Sequence, residues 1–382
     1  MTPHACKTRA ETPYTPGHPV TPPQMTITTI IGARPQFIKA AVVSRAIAAT
    51  GGAIKETIIH TGQHYDANMS DVFFSELDIP APHHNLGIGG GTHGQNTGRM
   101  IEAIEQVLLK DKPDCLLVYG DTDSTLAGAL AAAKLHIKVA HVEAGLRSFN
   151  RRMPEEINRI LTDHVSELLF TPTDTATSHL ISEGIPADRI AQVGDVMYDA
   201  ALYYKERARK PHWFDSLPVQ PQQFILCTIH RAENTDDDSR LREILAGLAT
   251  SPLPVVMPLH PRTRNVLARA GHTIPPNLHL TDPVGYLEMV WLEANCTAIA
   301  TDSGGVQKEA FFHRKPCITL RDETEWVELT TSGWNTLTGA SATRIAETLS
   351  TAIHSDQHRE TPVLYGTGSA GQEIIQVLGK FA

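Results

Sequence analysis

"DCLLVYGDTDSTLAGALAAAKLHIKVAHVEAG" (114–145) is the stretch on which the fold is decided. It opens with an unbroken apolar run, Cys115 to Tyr119, and turns at Gly120 into a pair of aspartates. A segment of helical spacing follows, "STLAGALAAAKLH", and then a second apolar run, "KVAHVEAG". Runs without alternation belong to strands buried on both faces, and a helix between two of them implies a parallel sheet.

The same alternation extends in both directions. Toward the N-terminus it reads "TITTII", "KAAVVSRAIAA", "ETIIHTG" and "TGRMIEAIEQVLLK"; toward the C-terminus, "PEEINRILTDHV", "ELLFTPT", "TATSHLISEG" and "RIAQVG". "KERARKPHWFDSLPVQPQQ" (205–223) interrupts it with charge and proline and reads as a linker. Alternation resumes in "FILCTIH", "LREILAGLA", "VVMPLH", "LHLTDP", "GYLEMVWLEANC", "TAIATDSGG", "VQKEAFFHRK" and "PCITLRD". The expected architecture is therefore α/β, with two doubly wound domains over 25–204 and 224–365. The cleft between them is the expected ligand site, and a C-terminal helix within 366–382 is expected to pack back on the first domain.

Composition narrows the function classes. A chain of 382 residues with 41% hydrophobic and 20% charged residues is globular and long enough for two cores. A net charge of −9 without a basic block argues against nucleic acid, and no run reaches the ~18 apolar residues of a membrane span. Five scattered cysteines without a CxxC pair fit a reducing cytoplasm. Residues 1–24, rich in Pro and Thr, read as a disordered tail or an upstream start, since Met25 directly precedes the first strand.

Several strand ends carry chemistry. "TIIGARPQFIKAA" places Arg34 and Lys39 after Gly32, as cleft-facing cations or as solvated ones; it is not the dinucleotide fingerprint. "VYGDTDST" ends a buried strand in Asp121 and Asp123, which suit a catalytic carboxylate or a helix cap, while no cluster has metal spacing. "CTIHRAEN" and "PLHPRTR" bring His230 and His260, with their arginines, to consecutive strand ends, a cationic rim. In "ATDSGGVQKEA" the doubled glycine at a helix start exceeds the needs of an N-cap and points to an anion, with Glu309 one turn on for a ribose hydroxyl.

"HVEAGLRSFNRRMPEEINR" (141–159) is harder to read from residue types alone. Pro154 followed by Glu155 and Glu156 is a routine helix start. Glu143 is different, because an acid there leaves a buried strand.

Taken together, "GARPQFIKA", "TGQH", "GDTDSTLAGALAA", "HVEAGLR", "PEEINR", "HRAEN" and "TDSGGVQKEA" resemble the non-hydrolysing UDP-N-acetylglucosamine 2-epimerases, from about Thr26 to the last helix. The resemblance implies a GT-B-like pair of Rossmann-like domains, UDP held mainly by the second, and a cytoplasmic homodimer needing no cofactor, metal or nicotinamide. It implies catalytic roles for Asp121, Glu143, Glu155 and His230. It implies substrate or UDP contacts for Arg34, Lys39, Arg159, His260, Ser303, Gly304, Gly305 and Glu309, and for Tyr286 as the aromatic on uracil. Gln63, His64 and Gln95 are kept from a second, regulatory substrate site, although their neighbours "YDANMSD" and "GGGTHGQ" depart from it. UDP-GlcNAc is the first expected substrate. UDP-2,3-diacetamido-2,3-dideoxy-glucuronate is the alternative, with Arg151 and Arg152 available to its carboxylate. A GT-B glycosyltransferase and a catalytically silent UDP-sugar sensor are the rival readings.

Overall fold

The computed structural model describes residues 25–63, 77, 79–270, 273–354 and 360–381. The expected tail, with Cys6, lies outside them, as do His64 and the side chain of Arg34. Among the described residues, thirteen strands form two sheets. β1 (Met25–Ile31), β2 (Ile54–His60), β3 (His84–Asn85), β4 (Cys115–Tyr119), β5 (Lys138–Val142), β6 (Leu168–Thr171) and β7 (Ile190–Gln192) make the first. β8 (Ile225–Thr228), β9 (Val255–Pro258), β10 (Leu278–Thr281), β11 (Ala298–Thr301), β12 (Cys317–Thr319) and β13 (Asn335–Leu337) make the second.

All pairings between these strands are parallel. The orders are β3-β2-β1-β4-β5-β6-β7 and β10-β9-β8-β11-β12-β13. The order in which strands are added reverses once in each sheet, between β1 and β4 and between β8 and β11. Helices on either side of such a switch point leave in opposite directions and open a crevice at the strands' carboxyl ends. Lys39 and Asp121 follow the first pair of strands; His230 and Ser303 follow the second.

Apolar clusters cover both faces of each sheet. The 205–223 segment is no free tether. Phe214, only 1% exposed, is seated in the second domain's cluster, with Trp213 and Leu217 packed against it. The helix Tyr286–Asn295 turns the other way. Its Tyr286, Leu287 and Val290 lie in the cluster of the first domain, which also takes Ala370, Ile374 and Leu378 of the helix Ala370–Phe381. Sequence periodicity passes over β3 and β13, which span two and three residues, and the helices Val196–Lys205, Pro261–Ala270 and Ala342–Ile353.

Candidate active site

The first wall of the cleft is set by strand register. β4 and β5 pair Tyr119 with Val142, so Gly120 and Glu143 leave the sheet side by side, with the Gly120 N–H donating to Val142 O at 3.0 Å. Glu143 has φ 71°, a left-handed conformation that costs a non-glycine residue about 1–3 kcal/mol and that tends to cluster at functional sites. Its carboxylate is 8% exposed. Lys39, from the helix Arg34–Ala48, donates to Oε2, and Lys308 donates to Oε1 at 2.8 Å. Burial alone would push this carboxyl up; the two ammonium groups outweigh it and hold it well below the usual carboxylate range. Gly120 is required beside them: a Cβ there would lie 3.0 Å from Lys39 Nζ and 3.3 Å from Glu143 Oε2.

Asp121 and Asp123 face different partners, which separates them from a metal pair. Asp121 Oδ2 accepts from Arg159 Nε at 3.0 Å and Nη2 at 2.7 Å. Asp123 accepts from Asn158 and faces His93. Arg159 is 4% exposed and also donates to Glu156 at 2.8 Å. Burial disfavours its charge, but Asp121, Glu325 and Glu156 keep it protonated. The charged stretch 141–159 thus divides by neighbour. Arg147 is structural, donating to Glu183 through Nε and Nη2 and to Asp163 through Nη1. Glu156 accepts from the Ser148 and Phe149 N–H groups and orders that loop. Glu155 is half-buried, while Arg151 and Arg152 are exposed.

The second wall centres on Asp302, fully buried, which accepts from the N–H groups of His230 and Arg231 and from Asn234. It fixes the loop after β8 and brings His230 Nδ1 within 3.4 Å of its own Oδ1. Burial, with Arg231 and Arg262 nearby, outweighs Asp302 and lowers the His230 pKa, leaving a neutral imidazole near pH 7. The His230 ring centre is 5.7 Å from that of His260, which stands exposed at the rim. Ser303 caps the helix Gly304–Phe312, whose first N–H groups have no intrahelical acceptor. A Cβ on Gly304 would lie 2.5 Å from Glu325 Oε1 and 3.6 Å from Trp326 Nε1. That indole N–H is buried without a partner, a second donor beside the turn. The placement suits a diphosphate.

Two residues that periodicity did not single out join the walls. Lys308, on the second domain's helix Gly304–Phe312, also donates to Asp195 Oδ2 at 2.5 Å, which precedes the helix Val196–Lys205. Glu325 is 7% exposed and held ionised by Arg321, Arg159 and Arg231 against its burial. The signal for Lys308 was a charge one turn into an otherwise buried helix. Nothing local marks Glu325 or Asp195.

Other expected residues fall elsewhere. Tyr286, expected on uracil, is 4% exposed and packs edge-on to Tyr204, ring centres 5.3 Å apart. Gln63 accepts from the N–H and hydroxyl of Ser124, and Gln95 closes the capping box with Thr92, so both serve local structure here. Glu309, 7% exposed, lies beside Glu293 and Tyr286.

A family model described as UDP-N-acetylglucosamine 2-epimerase matches residues 46–379. The chain is 55% identical over 361 residues, 93% of its length and 100% of the relative's, to the UDP-2,3-diacetamido-2,3-dideoxy-D-glucuronate 2-epimerase of Pseudomonas aeruginosa. Two solved structures align with it closely. The Methanocaldococcus jannaschii UDP-GlcNAc 2-epimerase in complex with UDP-GlcNAc and UDP has a TM-score of 0.85 at 43% identity, covering 93% of this chain and 100% of that one. The UDP-GlcNAc-bound enzyme of Neisseria meningitidis has a TM-score of 0.84 at 32% identity, with the same coverage.

Proposed function

The chain belongs to the UDP-N-acetylglucosamine 2-epimerase family, and we propose that it is a non-hydrolysing isomerase inverting C2 of a UDP-linked 2-acetamido sugar. The observation that supports this reading is a pair of charge contacts at strand ends: Lys308, on the helix that Ser303 caps, donates to Glu143, and Arg159 holds Asp121. Arg34, Lys39, Arg159 and His230 belong with UDP and sugar in this reading, and Glu309 with the ribose.

The chemistry explains why both walls are needed. C2 of such a sugar has no neighbouring carbonyl, so its proton is not acidic enough for direct removal. A base takes the C2 proton while the C1–O bond breaks, and UDP leaves with the bonding electrons. The helix start, Trp326 and His230 stabilise that charge. A 2-acetamidoglucal remains. UDP oxygen then adds back to C1 as an acid delivers a proton to the other face of C2, restoring every atom. Two carboxyl groups of unlike environment suit the two proton transfers. Asp121, 29% exposed with one oxygen held by Arg159, and half-buried Glu155 are the candidates for those transfers. Glu143 works ionised between its lysines.

As substrate, UDP-2,3-diacetamido-2,3-dideoxy-glucuronate is supported by the 55% identity to the Pseudomonas enzyme and by Arg151 and Arg152. These arginines are exposed on a loop whose Asn150 donates to Glu323 of the second domain at 2.7 Å. UDP-GlcNAc is the second reading, favoured by the two solved complexes. Proton NMR in D2O with each sugar tests both. Deuterium entering C2 with interconversion of the epimers is expected. Release of free sugar, or exchange with neither, overturns the reading.

We propose a cytoplasmic homodimer as the working form. Ile157 and Leu161, one turn apart on the helix Pro154–Val165, are 45% and 43% exposed and supply an apolar stripe. Light scattering should give twice the 41.7 kDa chain mass.

A further inference from the structure

Lys308 is a buried cation that starts on the second domain and places its ammonium group between two carboxylates of the first. Its side chain starts on the helix that Ser303 caps, one turn from the anion-binding turn, and ends inside the first domain. There Nζ is 2.8 Å from Glu143 Oε1 and 2.5 Å from Asp195 Oδ2, while the residue is 1% exposed. The same Nζ lies over the Trp326 ring, 4.0 Å from its centre. The same indole carries the unpartnered N–H beside Gly304. One side chain therefore touches the reaction carboxylate and the wall of the diphosphate turn.

We propose that Lys308 is a positioning residue that assembles the reaction centre when the domains close: it reaches from the nucleotide-binding helix to Glu143 and fixes that carboxylate only while the second domain is docked. This rests on the reading of Glu143 as an ionised participant in epimerisation. Separating the domains withdraws Lys308 from a buried carboxylate pair, which would leave Asp195 and Glu143 facing one another with Lys39 alone. Losing one partner of a buried, hydrogen-bonded ion cluster is costly, so the cluster resists opening. UDP bound at the turn adds contacts on the same helix, and closure around nucleotide and closure around Glu143 become one event.

The charged and titratable groups facing Glu143 come from five segments. Lys39 is on the first helix and Lys308 on the second domain; Asp195 precedes the helix Val196–Lys205. Glu328 and Tyr365 stand behind, joined by a hydrogen bond of 2.8 Å, and burial raises both. Lys39 and Lys308 are thus the groups that offset burial at Glu143. Without Lys308, burial gains weight and Glu143 protonates at higher pH.

The test compares wild type, Lys308→Met and Lys308→Arg by two measurements. In the pH dependence of kcat/KM for C2 exchange, K308M should move the acid limb upward by about one unit or more, the effect of one close opposite charge. K308R, which keeps the charge, should leave the limb near its wild-type place. In small-angle scattering with UDP bound, K308M should show a larger radius of gyration than wild type, and K308R should not. An unmoved acid limb or an unchanged scattering profile in K308M overturns the proposal. So does a K308R that behaves as K308M does, because charge would then not be what matters. Wild type that exchanges no C2 proton at any pH would sink the assigned reaction instead, and the scattering comparison would still decide the clamp.

Discussion

Glu143 and Glu293 are both buried glutamates, 8% and 0% exposed, yet their surroundings drive them to opposite states. Glu143 sits where the two domains meet, with an ammonium group on each oxygen. Glu293 sits on the helix Tyr286–Asn295 with a second carboxylate, Glu309, and with His313, whose Nε2 is 3.7 Å away. Burial pushes His313 down to about 3, so it offers no positive charge. Burial and then Glu309 raise Glu293 well above the ordinary value, and its proton is available to the neighbouring acid. The difference teaches that burial by itself neutralises an acid. A charged carboxylate in the cleft exists because cations from two domains were brought to it.

The sharpest way to break this comparison is to remove the charge of Glu143. Glu143→Gln leaves Lys39 and Lys308 with one acidic partner, Asp195, between them. Turnover should fall by roughly 10²–10⁴-fold, the usual worth of a positioned acid or base, and thermal stability should fall as well. Steady-state kinetics and a melting curve check both.

Asp121→Asn separates chemistry from binding. Arg159 loses its ion pair with Asp121 but retains Glu156, so the wall should stay in place. Turnover should drop about 10²-fold or more, with UDP affinity in calorimetry within a few-fold of wild type.

Neutralising Glu293 should act in the opposite direction. Its folded pKa lies above its unfolded one, so its contribution to stability is intact below the unfolded value and declines as pH rises toward the folded one. Glu293→Gln removes that penalty and can donate to Glu309 without a titrating proton. The melting temperature should rise by about 2–4 °C at pH 8, roughly a 1 kcal/mol effect, and by little at pH 5. A destabilised variant at pH 8 would show that the proton on Glu293 is not what differs between the two sites.

The most local effect is expected at the cleft mouth. Arg151→Ala combined with Arg152→Ala should raise KM for the diacetamido uronate about tenfold, near one charge-assisted hydrogen bond. KM for UDP-GlcNAc, which has no carboxylate on the sugar, should hold.

Much of the molecule was legible in the chain. Unbroken apolar strands alternating with amphipathic helices require parallel sheets covered on both faces, and that pattern is local. The strand-end position of Asp121, Glu143, His230 and Ser303 was legible too, since each follows an apolar run in the chain. Within the charged stretch 141–159 the residue types could not assign roles. Arg147 and Arg159 are alike in sequence, but one ties Glu183 and Asp163 and the other holds Asp121. Nor could the chain show that the Tyr286 ring packs edge-on to Tyr204, 82 positions earlier.

Sequence alone, then, determined most of the strands and helices and which acids leave a sheet edge, because period and turn chemistry are set by near neighbours. Tertiary structure decided which of those acids is charged. The pKa of a buried carboxyl depends on cations within a few ångströms, and Lys308 reaches Glu143 from 165 residues away in a different domain.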